Sequence, residues 1–326
     1  MTAQSRAGSS SEWSPARPAT DPGQVHELAD GSGPLVTLKR RRSYAWLGLT
    51  PFFLYIAAFF ILPTGTVLFS AFRKTDADTG VTSFTGSNVS SALQGVYFTG
   101  IKNSLTLALI TGVVGALVGL VLAWAIVSST GNVLTRFVST AAAVLANFGG
   151  VPLAFLFIAT VGNSGLLTKA LADHFHINLN SDLHFDLYGI TGLELVYLYF
   201  QIPLMVLVIT PALEGLKPQW QEAAANLGAT RWQYWRHVGA PILAPNVLGA
   251  ALLLFCSGFS AYATADALTS GAFPLIPLQI HAVISGNVLA GMENLGDALA
   301  LIMVVIVVPL MVIYQLLQRR TTRWLR

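Results

Sequence analysis

Six stretches of this chain are long and apolar enough to cross a lipid bilayer, and nothing else in the sequence restricts its fold as much. A membrane-spanning helix needs about 20 mostly apolar residues. The runs 44–72, 101–128, 137–161, 188–213, 242–265 and 296–317 all reach that length. Of the 326 residues, 54% are hydrophobic and 10% charged, against about 25% charged in a typical soluble domain. A chain this poor in charge cannot cover itself with polar surface in water. Pro51, Pro63, Pro152, Pro203 and Pro309 fall inside or near the ends of the runs. In a bundle, neighbouring helices can satisfy the carbonyls that such prolines free. The expected fold is an all-α integral membrane protein of six transmembrane helices.

Lysine and arginine set the expected orientation. With the N-terminus inside, the cytoplasmic segments hold 14 of the 18 basic residues, including Lys39–Arg42, Arg136, Lys217, Arg231, Arg236 and Arg319. Arg73, Lys74, Lys102 and Lys169 fall on the other side, as the positive-inside bias requires. An even number of spans then places both termini in the cytoplasm. Residues 1–38 are rich in Ser, Ala, Gly, Pro and Asp and have no apolar run. They read as a disordered cytoplasmic tail rather than a cleavable signal peptide, leaving 39–326 as the membrane domain. The single cysteine, Cys256, lies in an apolar run and reads as a small buried hydrophobe.

The inside loop 214–241 is long and patterned. Pro218 suits a first helical turn, because its missing N–H would be unpaired there anyway. Trp220, Ala224 and Leu227 recur at helical spacing on one face. Glu222 lies near the start, where the helix dipole favours an anion. Ala223, Ala224 and Ala225 keep the surface low, so another backbone can approach, and Gly228 can turn the chain at positive φ. A second short helix, 231–238, leads to Pro241 and the fifth span. The product is a bent pair of helices at the membrane surface. Without further information it equally suits a hairpin lying on lipid headgroups through Trp220, Trp232 and Trp235.

Glu222-Ala223-Ala224, Gly228 and Pro241, the proline thirteen residues after the glycine, resemble the EAA loop of ABC importer permeases. Ala240 departs from that pattern, which usually has leucine before the proline. The resemblance extends over the whole membrane region. It implies a type I, binding-protein-dependent permease in a bacterial cytoplasmic membrane, whose coupling helix docks into a cytoplasmic ATPase. It also implies as partners an ATPase dimer, a second permease subunit, an external solute-binding protein and the surrounding lipid. The sequence has no G-x-x-x-x-G-K-[ST] loop, so ATP and Mg are expected in the ATPase. No cofactor, catalytic residue or nucleic-acid partner is expected here.

Intramembrane acids are candidates for a solute path, since they are costly to insert. Glu194, Tyr197 and Gln201 follow at i, i+3 and i+7 in the fourth span, and Tyr262 and Asp266 are an i, i+4 pair near the external end of the fifth. Carboxylates with tyrosines suit a cationic solute. The structural alternative is that both acids are hydrated at the interface or bonded to neighbouring helices. The stretches 147–154, 259–264 and 294–299 are similar to spermidine/putrescine permeases, a group shading into ferric, thiamine and phosphonate importers. Gly112, Gly115 and Gly119 predict close helix contact in the second span. His174, His176 and His184, with Asp173, Asp182 and Asp186, fit no standard closed metal site, and no metal is expected. Asn88-Val89-Ser90 matches a glycosylation acceptor only formally. The competing classes are an ion-driven secondary transporter and a membrane-embedded enzyme. The first needs interrupted spans and midplane acids; the sequence shows neither clearly. The second needs a nucleophile–base pair or ligand set, and none stands out.

Overall fold

A computed structural model describes residues 45–75, 82–129, 132–177, 179, 181–182, 185–286 and 294–322. The expected tail at 1–38 and the basic run Lys39–Arg42 lie outside the described residues. Two units are distinguished, Met1–Leu54 and Tyr55–Arg326. The first contributes most of helix α1, Ala45–Ile56, which carries Pro51 internally. All other elements described below belong to the second.

A π turn, Ala57–Ile61, precedes α2, Leu62–Ser70. A second π turn, Trp235–Gly239, joins α10 (Arg231–Tyr234) to α11 (Ala240–Ser260). Both wide turns end just before a proline, with Leu62 N–H bonded to Ala57 O ahead of Pro63 and Ala240 N–H bonded to Trp235 O ahead of Pro241. A proline ring collides with the carbonyl four residues back. Widening the preceding turn moves that carbonyl aside and lets the helix continue.

After α2 come β1, Arg73–Thr75, and β2, Thr82–Phe84, paired antiparallel with Arg73 opposite Phe84. Helix α3, Ser87–Ala92, follows. Its buried Asn88 donates to the carbonyls of Ala71 and Arg73 at 3.3 and 2.8 Å. That carboxamide therefore anchors the hairpin and is not displayed for modification.

Two long helices form the centre, α4 (Gly95–Val127) and α8 (Ile190–Glu214). Helix α4 packs chiefly on α8 and then on α11. The glycines explain the closeness. A Cβ on Gly119 would sit 2.5 Å from Met205 Cβ, one on Gly115 3.3 Å from Gln201 Cβ, and one on Gly112 3.3 Å from the Phe255 backbone. In a bilayer, where burial in water drives nothing, such small residues allow helices to gain dispersion contact. The expected glycine face is therefore a packing face toward two different helices.

The third and fifth runs depart from simple rods. The third breaks into α5 (Asn132–Asn147) and α6 (Val151–Val161), with α7 (Leu166–Phe175) beyond. Gly150 turns the chain at φ +72° and Pro152 starts α6. The apolar stretch therefore runs Val151–Phe175, later than the expected 137–161. The fifth begins at Arg231, not 242, because the π turn lets α10 continue into α11. It then breaks at Ala261 and Tyr262 before α12, Ala263–Thr269. Interrupted spans, not evident from the sequence, are thus present. Six segments are long and apolar enough to cross a membrane: Gly48–Ser70, Gly95–Val127, Val151–Phe175, Ile190–Glu214, Arg231–Ser260 and Leu295–Leu316.

The chain closes with α13, Ile276–Ile284, and α14, Leu295–Thr322. Helix α13 is bonded to α4. Gln279 Nε2 donates to Val96 O at 2.7 Å across Gly100, where a Cβ would strike the Gln279 amide. Ser104 Oγ accepts from Ile276 N–H at 2.9 Å. At the hairpin end of the bundle, Leu153, Leu193, Tyr197, Ala265, Leu275 and their neighbours form one apolar core. At the opposite end Ala123, Ala142, Met205, Ile209, Leu243 and Leu254 belong to a second.

Candidate functional site

Helix α9, Pro218–Asn226, lies between the second core and solvent, and its placement follows from residues on either side. Helix α8 ends at Glu214, with Gly215 as its cap. Lys217 is extended and Pro218 opens α9, so no unpaired N–H is lost at that position. At the far end Gly228 has φ +78°. Gly228 N–H donates to Ala225 O at 2.9 Å and Ala229 N–H to Ala224 O at 3.0 Å. That pair of bonds is a Schellman closure, the tightest common way to stop a helix and turn the chain. Thr230 and Gln233 then cap α10 reciprocally, Gln233 N–H donating to Thr230 Oγ1 at 3.3 Å and Thr230 N–H to Gln233 Oε1 at 2.7 Å. The Thr-x-x-Gln spacing is legible in the sequence as the start of a helix.

Both roots of this elbow are fixed, and its tip is free. Leu216 before α9 and Trp235 after α10 pack against the same apolar core as Leu213 and Leu243. Tyr234 is buried and meets Trp235 edge-on, ring centroids 5.9 Å apart. Within α9 no residue is buried; Glu222, Ala223 and Ala225 are exposed and Trp220 and Ala224 half-buried. Leu227, expected on the same face as Trp220 and Ala224, departs from it. As the C-cap it leaves helical register and stands 88% exposed. Pro241 lies at the first turn of α11, behind the π turn. Helix α9 thus presents an exposed leucine and a low alanine surface beside a carboxylate, between two roots packed into the bundle.

The residues expected to line a solute path divide into two sets. Tyr197 and Gln201 are fully buried, so the expected accessible stripe with Glu194 does not form. Tyr197 Oη donates to Ala261 O at 3.0 Å, satisfying the carbonyl freed where α11 breaks. Gln201 Nε2 donates to Thr111 Oγ1 at 3.1 Å, joining α8 to α4. Gly258 makes room for it, since a Cβ there would lie 2.6 Å from Gln201 Nε2. Gln201 Oε1 is buried and accepts no hydrogen bond among the described residues. Glu194, Tyr262 and Asp266 are only partly covered. Tyr262 lies within electrostatic reach of the Asp266 carboxylate and 5.1 Å, centroid to centroid, from the His281 ring. His281, not singled out in the sequence, is therefore part of this group.

The two interruptions meet. Gly150 N–H, freed at the α5–α6 break, donates to Thr264 Oγ1 at the start of α12, at 2.9 Å. The Gly150 amide freed at one break and the Ala261 carbonyl freed at the other are thus both bonded within the bundle. Among the described residues no cluster of His, Cys, Asp and Glu has the arrangement of a metal site. Cys256 is buried and unpaired.

Residues 115–326 match the family described as binding-protein-dependent transport system inner membrane component. Over 250 residues, 76% of this chain, it is 27% identical to the putative ferric transport system permease protein FbpB 1 of Haemophilus influenzae. The spermidine/putrescine transport system permease protein PotC of the same organism is 27% identical over 132 residues, 40% of this chain and 50% of its own. The match to FbpB 1 covers 38% of that protein and the match to the Actinobacillus pleuropneumoniae FbpB covers 34%. The chain thus spans little more than a third of those relatives. Among solved structures, a bacterial ABC transporter involved in alginate import superposes with TM-score 0.64. The match covers 86% of this chain and 95% of that one at 16% identity, a likeness of fold.

Proposed function

This chain belongs to the family of binding-protein-dependent transport system inner membrane components, and from that premise we propose that it is the membrane-spanning permease subunit of an ATP-driven importer. In this reading α9 is the coupling helix. Glu222, Ala223, Ala224 and Gly228 form the surface that enters an ATPase subunit, and Pro241 belongs to the joint that carries its movement into α11. The supporting observation is the contrast between an α9 with no buried residue and roots packed into the bundle core at Leu216 and Trp235. A load applied at Glu222 would pass into α8 and α11 together. ATP and Mg would be handled by the ATPase pair, a second permease would complete the pathway, and an external binding protein would deliver the solute. Both termini would then lie in the cytoplasm of a bacterial cell.

The solute is proposed to be small and charged. Relatives are named for ferric iron, thiamine, sulfate and spermidine/putrescine. Glu194 and Asp266, with Tyr262 beside the latter, favour a cation by charge pairing and cation–π contact, with Tyr197 and Gln201 holding the helices behind them. The test is cysteine cross-linking from Ala223→Cys to the cognate ATPase in the intact complex. Efficient cross-links that shift with ATP support the reading. An α9 that labels only with lipid-soluble reagents, and never with the ATPase, would sink it.

A further inference from the structure

A groove of about 520 Å³ opens on the side of the bundle at the root of the elbow. Its walls are Val121 and Trp124 of α4, Trp232 and Trp235 of the elbow, and Leu243 and Ala244 of α11. The π turn shapes it. Trp235 lies across Gly239, where a Cβ would fall 2.7 Å from the indole, and Ala240 and Ala244 keep the floor low. Trp232 is 73% exposed and Trp124 about half. Indoles at this level prefer the membrane–water boundary.

The charges nearest the groove in the chain are mainly positive. Arg231 lies one turn from Trp235, Arg236 directly follows it, and both are exposed. The chain has no carboxylate between Glu222 and Asp266, and none along α4 or α5. Glu214, next to the lining Leu213, is the one acid adjoining the groove in sequence, and Lys217 lies three residues beyond it. An apolar trough of this size, lined by Trp124, Trp232 and Trp235 and with exposed Arg231 and Arg236 flanking the last two in the chain, matches one class of ligand. We propose that this groove binds an anionic phospholipid, with an acyl chain along Val121, Leu243 and Ala244 and the phosphate held by Arg231 and Arg236. Basic sites between helices on the side facing anionic lipid take headgroups in this way. The lipid would clamp the joint from which α9 is hung. The proposal requires these helices to span a bilayer but not that α9 grips an ATPase.

The test is native mass spectrometry of the full chain in detergent with phosphatidylglycerol or phosphatidylcholine of identical acyl chains. Two arginines near a headgroup predict a preference for phosphatidylglycerol of about tenfold or more. The double variant R231Q/R236Q should lose that preference while still binding either lipid weakly. Ala244→Trp, which fills the trough and leaves both arginines, should lose binding altogether. Inorganic phosphate should not compete, and brominated phosphatidylglycerol should quench tryptophan emission less in Trp232→Phe. Equal binding of the two lipids, a preference surviving in R231Q/R236Q, or displacement by phosphate alone would overturn the proposal. So would trough occupation by a second copy, seen as Ala244→Cys cross-links between subunits with no quenching. Melting of each variant beside the parent separates misfolding from loss of the site.

Discussion

The amide of Gly150 and the hydroxyl of Thr264, 114 residues apart in the chain, meet at 2.9 Å and tie together the two interrupted helices of the bundle. Gly150 is at φ +72°, and Thr264 is nearly buried. Thr264→Val keeps the shape and removes the acceptor. The unpaired N–H should cost about 1–3 kcal/mol, read as a lower melting temperature of the detergent-solubilised subunit. Thr264→Ser should restore it. Identical melting of all three proteins would show that the bond holds nothing.

Gly228 separates backbone strain from crowding. Nothing lies within 4 Å of a Cβ there, yet φ is +78°. Gly228→Ala should therefore fold and cost only about 1–2 kcal/mol locally, with reduced uptake. Gly228→Pro, whose ring forbids that φ, should abolish uptake while the subunit still reaches the membrane. Glu222→Lys should do the same by reversing charge on the exposed face. Normal transport in an assembled complex carrying either of the last two would refute the coupling role.

At Gly119 the prediction is steric. A Cβ would approach Met205 Cβ to 2.5 Å and Ile202 O to 2.9 Å, and neither can retreat without moving α8. Gly119→Leu should lower melting by the equivalent of about 1–3 kcal/mol or prevent accumulation. Gly65→Ala, with open space around it, is the control and should be silent. Loss at both positions alike would point to glycine content rather than to this contact.

Gln201 and Asp266 should behave differently if one is a strut and the other faces solute. Gln201→Ala removes its bond to Thr111, worth about 0.6 kcal/mol on average between helices in a bilayer. It should reduce melting and affect all solutes alike. Asp266→Asn should leave melting unchanged and weaken uptake of a cationic solute more than Ser257→Ala does. A uniform loss of stability in both would remove the distinction.

The sequence made legible whatever depends on local chemistry. The apolar runs located the first, fourth and sixth spans to within a few residues but misplaced the third and fifth, and Pro218 with Gly228 marked both ends of α9 correctly. Gly115 and Gly119 announced close packing. What stayed hidden depended on partners far away in the chain. Tyr197 and Gln201 looked like a polar stripe because an isolated helix gives no sign of which polar atoms will be consumed by Ala261 and Thr111. The break at 148–150 was signalled locally by Asn147, Gly149, Gly150 and Pro152, but the run was long enough to read as one span. Backbone polarity there is satisfied by Thr264, which no local pattern reveals. Leu227 fitted a helical repeat, but the Schellman closure ended the repeat one residue before it.

The wide turn at Trp235–Gly239 amounts to one surplus residue in an otherwise regular rod. Its five residues wind through about the angle that four residues of α-helix cover, so the surplus is absorbed where it occurs and the segments on either side keep the alignment of one rod. What the extra residue provides is clearance for the ring of Pro241. A single deletion there should leave the aim of α9 nearly unchanged and lower the stability of the joint instead.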